Sequence, residues 1–281
     1  MPRETLFVTC KRLMPRLVLT LICCLWAGSS LAALGTIATS SNFKRAMVDL
    51  IEEFERSHPH QLRQVNASSG VLFNQITMGA PFDVMLSANS YYPQQLVSLG
   101  FAPPESRFTY AEGKLVLAFS KNNSSIRCSF VNGHTVSTAD RECFVAAITG
   151  IHQRHSRLAV ANPDFAPYGI ATRQTLQHLG LWESTSQQRV TGSNVGQTYQ
   201  FVATGNSAAG FVALSQLVQA ADQRGQSLDY WPVPESWYQP IRQQAILLQS
   251  GLDNPAALSF LAFLQTDRAK AIIQRHGYAT R

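Results

Sequence analysis

From Leu34 onward, short apolar runs alternate with longer amphipathic ones, and this alternation restricts the possible folds more than any other feature of the chain. LGTIATS (34–40) reads as a strand and leads into SNFKRAMVDLIEEFERSH (41–58), where Phe43, Met47, Val48, Ile51 and Phe54 share a helical face. QLRQVNA (61–67) reads as a second strand, GVLFNQITMG (70–79) as a second helix, FDVMLSA (82–88) as a buried strand and YYPQQLVSLG (91–100) as a short helix. GKLVLAFS (113–120) is a further strand. The pattern then recurs with different residues: strand RLAVANP, helix YGIATRQTLQHLG, short strand QQRV, helix NVGQTYQFVATG, strand GFVALSQ and strand QQAILLQ. PAALSFLAFLQTDRAKAIIQRHG (255–277) supplies one or two closing helices. Gly79, Gly100, Gly180 and Gly205 each stand where a helix should stop.

Strand–helix alternation is the signature of a parallel sheet with crossover helices. Two such sets followed by a return of the chain predict an α/β protein of two Rossmann-like lobes with a central cleft, joined by crossover strands. The crossings are expected near Gly113–Leu115 and again within 210–240. One lobe would comprise 33–113 with about 235–281, the other 114–234. WPVPESWYQP (231–240) is too rich in proline for a regular helix, so it reads as an ordered loop near the second crossing, with Trp231 and Trp237 as packing residues.

The first 32 residues read as a leader outside this fold. Lys11, Arg12 and Arg16 precede the apolar run LVLTLICCLWA, and GSSLAA follows, with Ser30 and Ala32 at the cleavage-determining positions. This is the form of a secretory signal peptide cleaved near Ala32, which implies export to the periplasm. A retained anchor or a lipidated cysteine are the alternatives. The leader carries Arg3, Lys11, Arg12 and Arg16 against Glu4, so half of the formal net charge of +6 leaves with it. With 14% charged residues, no basic stripe and no zinc-finger or helix-turn-helix pattern, the remainder offers nothing to a nucleic acid. Of the five cysteines only Cys128 and Cys143 lie beyond the leader; in an exported chain that even number favours a disulfide over two free thiols.

Four helix starts carry the chemistry: Ser40-Ser41-Asn42, Ser68-Ser69-Gly70, Ala166-Pro167-Tyr168-Gly169 and Ser193-Asn194-Val195-Gly196. The first turn of a helix leaves backbone N–H groups unpaired and carries the positive end of the helix dipole. Small residues there let an oxyanion approach those amides, and serine adds a hydroxyl donor. Any one corner is more often an ordinary N-cap. Four of them, two from each half of the chain and none holding a charged side chain, point to a two-lobed binder of a small anion.

ATSSNFKRAM, ASSGVLFNQITMGAPFDVMLSAN, ANPDFAPYGIATRQTLQHLG and SNVGQTYQFVATGNSAAGFVALSQ resemble, in order, four signatures of the periplasmic molybdate-binding proteins of ABC transporters. The resemblance runs from about Leu34 to the C-terminal QRHGY. It implies the type II periplasmic binding-protein fold, a monomer, and a molybdate or tungstate ligand carried as cargo, with no cofactor and with a membrane permease as partner. It also implies that Ser41 and Asn42 give hydroxyl and amide donors and Ser69 both hydroxyl and backbone N–H. Tyr168 and Val195 would give backbone N–H groups. Some family members add a tyrosine hydroxyl from the GFV strand, where this chain has Ala213 or Leu214. Donors alone suit a dianion that stays deprotonated at neutral pH, whereas phosphate carries a proton and wants an acceptor.

An enzyme is the alternative of a different class. His58-Pro59-His60 and His152-x-x-His155 have ligand-like spacing, but no Cys or Glu pattern completes a zinc site, and no serine sits in a nucleophile elbow. A binder of organic solutes would place an arginine on a carboxylate. Arg157 and Arg173 only flank the third corner, and Asp83, inside a strand, reads as structural.

Overall fold

Two five-stranded mixed sheets organise the chain in a computed structural model that describes residues 32–121, 138–153, 156–218 and 228–280. Residues 1–31 of the leader, Cys128 and His155 lie outside the described residues; Cys143 is disulfide-bonded. The first sheet has the order β2 (Gln61–Ala67), β1 (Leu34–Ser40), β3 (Val84–Ser87), β10 (Ile241–Leu247), β4 (Phe108–Gly113). β1 pairs in parallel with both β2 and β3, while β10 runs antiparallel between β3 and β4. The second sheet has the order β7 (Arg189–Gly192), β6 (Leu158–Ala161), β8 (Ala209–Ala213), β5 (Leu115–Phe119), β9 (Tyr230–Pro232). There β6 is parallel to β7 and β8, and β5 is antiparallel to β8 and β9. The chain leaves the first sheet between Gly113 and Leu115 and returns between Pro232 and Ile241.

Helices cover both faces of each sheet, which is why the central strands are apolar without alternation: β5 and β8 are buried throughout. On one face of the first sheet, Phe43 and, from the α1 helix (Lys44–Ser57) that follows it, Met47, Leu50 and Phe54 pack against Phe260 of α7 (Pro255–Leu264) and Ile272 and Ile273 of α8 (Asp267–Arg275). On the other, α2 (Ser69–Thr77) and α3 (Tyr91–Ser98) bring Leu72, Ile76 and Leu96 to Met85 and Ile246. The second sheet is covered by α4 (Thr138–Gln153), α5 (Pro167–His178) and α6 (Val195–Ala203), through Phe144, Ile148, Leu176 and Val202 among others. Among the described residues, no helix is long and apolar enough to cross a membrane.

The structure corrects several expectations. Val48 and Ile51 are only half-buried, and Leu50 takes the core position instead. A 3-10 turn over Ser41–Phe43 precedes α1, so the face that meets the sheet runs Phe43, Met47, Leu50, Phe54. The strand expected at QQRV starts two residues later, at Arg189, and the strand in GFVALSQ ends at Ala213, after which 214–218 is helical. β4, β9 and α4 are elements that periodicity did not single out. β9 takes in Trp231, placed above in a loop; Trp231 and Trp237 are both buried in the second lobe's core against Phe144. The helix-stopping glycines are as expected, Gly79 at φ 90° and Gly180 at φ 72°.

Candidate functional site

Ser41, Asn42, Ser69, Tyr168 and Val195 line one small cavity, together with Ser40, Ser68, Ala88, Ala166 and Pro167. The first lobe brings the ends of β1 and β2, the starts of the 3-10 turn and α2, and the residue after β3. The second lobe brings the starts of α5 and α6. No lining residue carries a charge. The corners converge because each follows a strand, and strand ends at one edge of an α/β sheet collect helix N-termini.

The four corners do not use their caps in the same way. Asn194 is an ordinary N-cap, its side chain accepting from Gln197 N–H at 3.0 Å. Ser40, Ser68 and Ala166 occupy the cap position without a side-chain cap bond. The Ser68 hydroxyl is buried and has no hydrogen-bond partner among the described residues. Its orphaned hydroxyl makes Ser68 a further candidate donor beside Ser69. Only geometry shows this, because a capping and a non-capping serine have the same sequence signature.

Ser69 is fully buried, and its Oγ accepts from Ala88 N–H at 2.9 Å. With that lone pair engaged, the hydroxyl proton is left to donate. Ser41, half-buried, faces the second lobe, its Cβ 3.7 Å from where a Cβ on Gly196 would stand.

Asn42 departs from the role expected of it. Its Nδ2 donates to Gln243 Oε1 at 2.9 Å and to Tyr278 Oη at 3.0 Å, so the side-chain amide is engaged within the protein. Tyr278 Oη in turn lies 2.8 Å from Asn42 O and 3.0 Å from Ser215 Oγ, and Tyr110 Oη donates to Gln243 Oε1 at 3.1 Å. Asn42 therefore contributes to the cavity by its place in the first turn, where backbone amides lack intrahelical acceptors. Its carboxamide ties that turn to β10 and to Tyr278 near the C-terminus, and Tyr110 of β4 joins through Gln243. Gln243 and Tyr278 were missed because nothing in their local sequence marks them.

Tyr168 lies at the start of α5 with its backbone at the cavity and its ring buried. Its hydroxyl points to the first lobe: a Cβ on Gly113 would stand 2.1 Å from it and 2.8 Å from Gln243 Nε2. The Tyr168 hydroxyl and Gln243 Nε2 are both buried without a partner among the described residues. Burial, with Tyr278 and Tyr238 nearby, holds the Tyr168 hydroxyl well above the usual tyrosine range. Gln216 bridges Ala213 N–H and Val195 O, at 3.1 Å each, and so fixes the start of α6.

Among the described residues no cluster of three or more His, Cys, Asp or Glu side chains could hold a metal ion. His58 stacks on Phe54 at 4.2 Å, and His60 Nδ1 accepts from Ala33 N–H at 3.3 Å. Asp83 is structural, its Oδ2 accepting from Thr36 N–H at 2.6 Å. What remains is a cage of hydroxyl and amide donors with no acidic acceptor, suited to an anion that needs no acceptor for a proton of its own.

Residues 36–279 match the family model of the bacterial extracellular solute-binding protein. The chain is 38% identical over 263 residues to the molybdate-binding protein ModA of Azotobacter vinelandii, an alignment covering 94% of this chain and 96% of that one. It is 37% identical over 251 residues to ModA of Rhodobacter capsulatus, covering 89% of this chain and 90% of that one. The solved structure of the periplasmic molybdate-binding protein of Azotobacter vinelandii superposes with a TM-score of 0.75 at 33% identity, over 88% of this chain and 99% of that chain.

Proposed function

This chain belongs to the bacterial extracellular solute-binding proteins, and from that premise we propose that it is the substrate-binding component of an ABC importer for molybdate or tungstate. The observation that carries the reading is the uncharged cavity, lined by hydroxyls and first-turn amides without a carboxylate, formed by helix starts from both lobes. Ser41 and Ser69 donate through their side chains and first-turn amides, and Asn42, Tyr168 and Val195 through backbone N–H groups; Ser68 adds a hydroxyl. Fixed dipoles attract anions less indiscriminately than lysine or arginine would, so the shape of the shell selects the ion.

The lobes are 33–113 with about 235–281, and 114–234. Because each supplies part of the shell, binding couples to closure. The exported chain, its leader cleaved near Ala32, acts in the periplasm as a monomer and delivers the ion to a membrane permease. It acts by binding, the role that the names of the Azotobacter vinelandii and Rhodobacter capsulatus relatives give to those proteins.

Calorimetry of residues 33–281 against molybdate, tungstate, sulfate and phosphate tests this. Molybdate and tungstate should bind, sulfate weakly and phosphate not measurably. Phosphate binding as tightly as molybdate would refute selection by a shell without a carboxylate acceptor.

A further inference from the structure

Beside the cavity, the two lobes touch through main chain. Gly70 N–H, in the first turn of α2, donates to Phe165 O at 2.8 Å, and Phe165 precedes α5 by two residues. Next to it, Tyr92 Oη of α3 donates to Asp164 O at 3.4 Å. The two carbonyls are presented by a turn held from inside: Asp164 N–H donates to Asn162 Oδ1 at 2.9 Å and Ala166 N–H to Asn162 O at 2.8 Å. The contact does not arise from apolar burial, since Phe165 is 38% exposed.

Gly70 is the residue that permits this approach. A Cβ there would stand 2.5 Å from Tyr92 Oη and 2.9 Å from both Phe165 Cα and Phe165 O. Its backbone needs no glycine, because it is helical and alanine is the better helix former. The glycine therefore answers to Tyr92 of its own lobe and to Phe165 of the opposite lobe, and not to its own helix.

We propose that Gly70 is a positioning residue for closure: its N–H, latched to Phe165 O, sets the separation of the lobes and hence the width of the oxyanion shell. The latch rests on the binding function proposed above. Ser69 and Gly70 are consecutive, so one helix start turns one residue to the ligand and the next to the other lobe. Closure and ligand capture are thereby fixed to the same turn. The latch adds nothing to encounter, which takes place with the lobes apart; it acts on escape.

The test is Gly70→Ala in residues 33–281, with Tyr92→Phe as a milder second variant, using molybdate as the probe. Stopped-flow binding should show Gly70→Ala releasing molybdate at least tenfold faster, with the association rate within about twofold of wild type. Tyr92→Phe should show a smaller change in the same direction. The melting temperature of ligand-free Gly70→Ala should be nearly unchanged, the gain in helix propensity being offset by the shift it asks of the Tyr92 hydroxyl. Unchanged release in Gly70→Ala, or an equal loss in association, would overturn the latch. If Gly70→Ala fails to fold, the release rate of Tyr92→Phe decides. Failure of the wild type to bind molybdate would overturn the proposed function instead. The latch would then be judged by release of whichever of tungstate, sulfate and phosphate the wild type binds, where unchanged release from Gly70→Ala would overturn it.

Discussion

Ser69 and Ser68 are adjacent in sequence, yet their hydroxyls differ in what they already hold. Ser69 Oγ accepts from Ala88 N–H, whereas Ser68 Oγ is buried without a partner among the described residues. Ser69→Ala removes a donor to a charged ligand, and calorimetry should show molybdate affinity reduced by about 1.5–3 kcal/mol. It also strands the buried Ala88 N–H, so urea unfolding should show a further loss of about 1–3 kcal/mol in stability. Ser68→Ala strands nothing; it should weaken binding while leaving the unfolding midpoint nearly unchanged. If Ser69→Ala bound molybdate normally, Ser69 would have no place in the shell. The serine corner was legible because small polar residues before a helix are a local signal. Which hydroxyl is free was not legible, because Ala88 reaches Ser69 only through the packing of β3 beside β1.

At the scale of elements, the 3-10 turn over Ser41–Phe43 is placed by partners remote in sequence. Asn42 holds Gln243 on β10 and Tyr278 near the C-terminus, and Tyr278 also meets Ser215 beyond β8. A register shift between Gln243 and Gln244 marks the point on β10 where this network forms, and Gln243 is fully buried there. Tyr278→Phe keeps the ring packed against Phe43, at 5.2 Å, but deletes the hydroxyl that joins these groups. Urea unfolding should show about 1–3 kcal/mol lost, because Asn42 O and Nδ2 each lose a buried partner. Calorimetry should show molybdate binding weakened as well, since the turn that presents Ser41 loses its tether. A stability loss with unchanged affinity would make the network structural only. Asn42 was legible as a helix-start residue, but the direction of its side chain was not, because its partners lie 201 and 236 positions away in the chain.

In the whole molecule, tyrosines gather where the lobes meet. Burial raises the hydroxyls of Tyr110 and Tyr168 well above the ordinary value of 10.0, raises that of Tyr278 too, and pushes Tyr238 up to about 12. In the unfolded chain they would ionise near 10.0, so between that value and their folded values the folded state binds more protons. The stability this represents is intact below pH 10 and is lost as pH rises above it. Melting temperature should therefore be level from pH 7 to 9 and fall steeply above 10, with tyrosinate absorbance appearing together with unfolding. Tyrosinate absorbance rising fully while the protein stays folded would contradict this burial. By itself the sequence determined the α/β class, most strands and helices, and the corners Ser40–Asn42, Ser68–Gly70, Ala166–Gly169 and Ser193–Gly196. All of these are written in periodicities and residue types within a few positions of one another. Only the tertiary structure decided that five residues from four corners share one cavity, that Asn42 faces inward, that Ser68 is uncommitted and that Gly70 meets Phe165. Those outcomes depend on β10 returning between β3 and β4 and on the chain crossing twice between sheets, and such contacts leave no local periodicity to read.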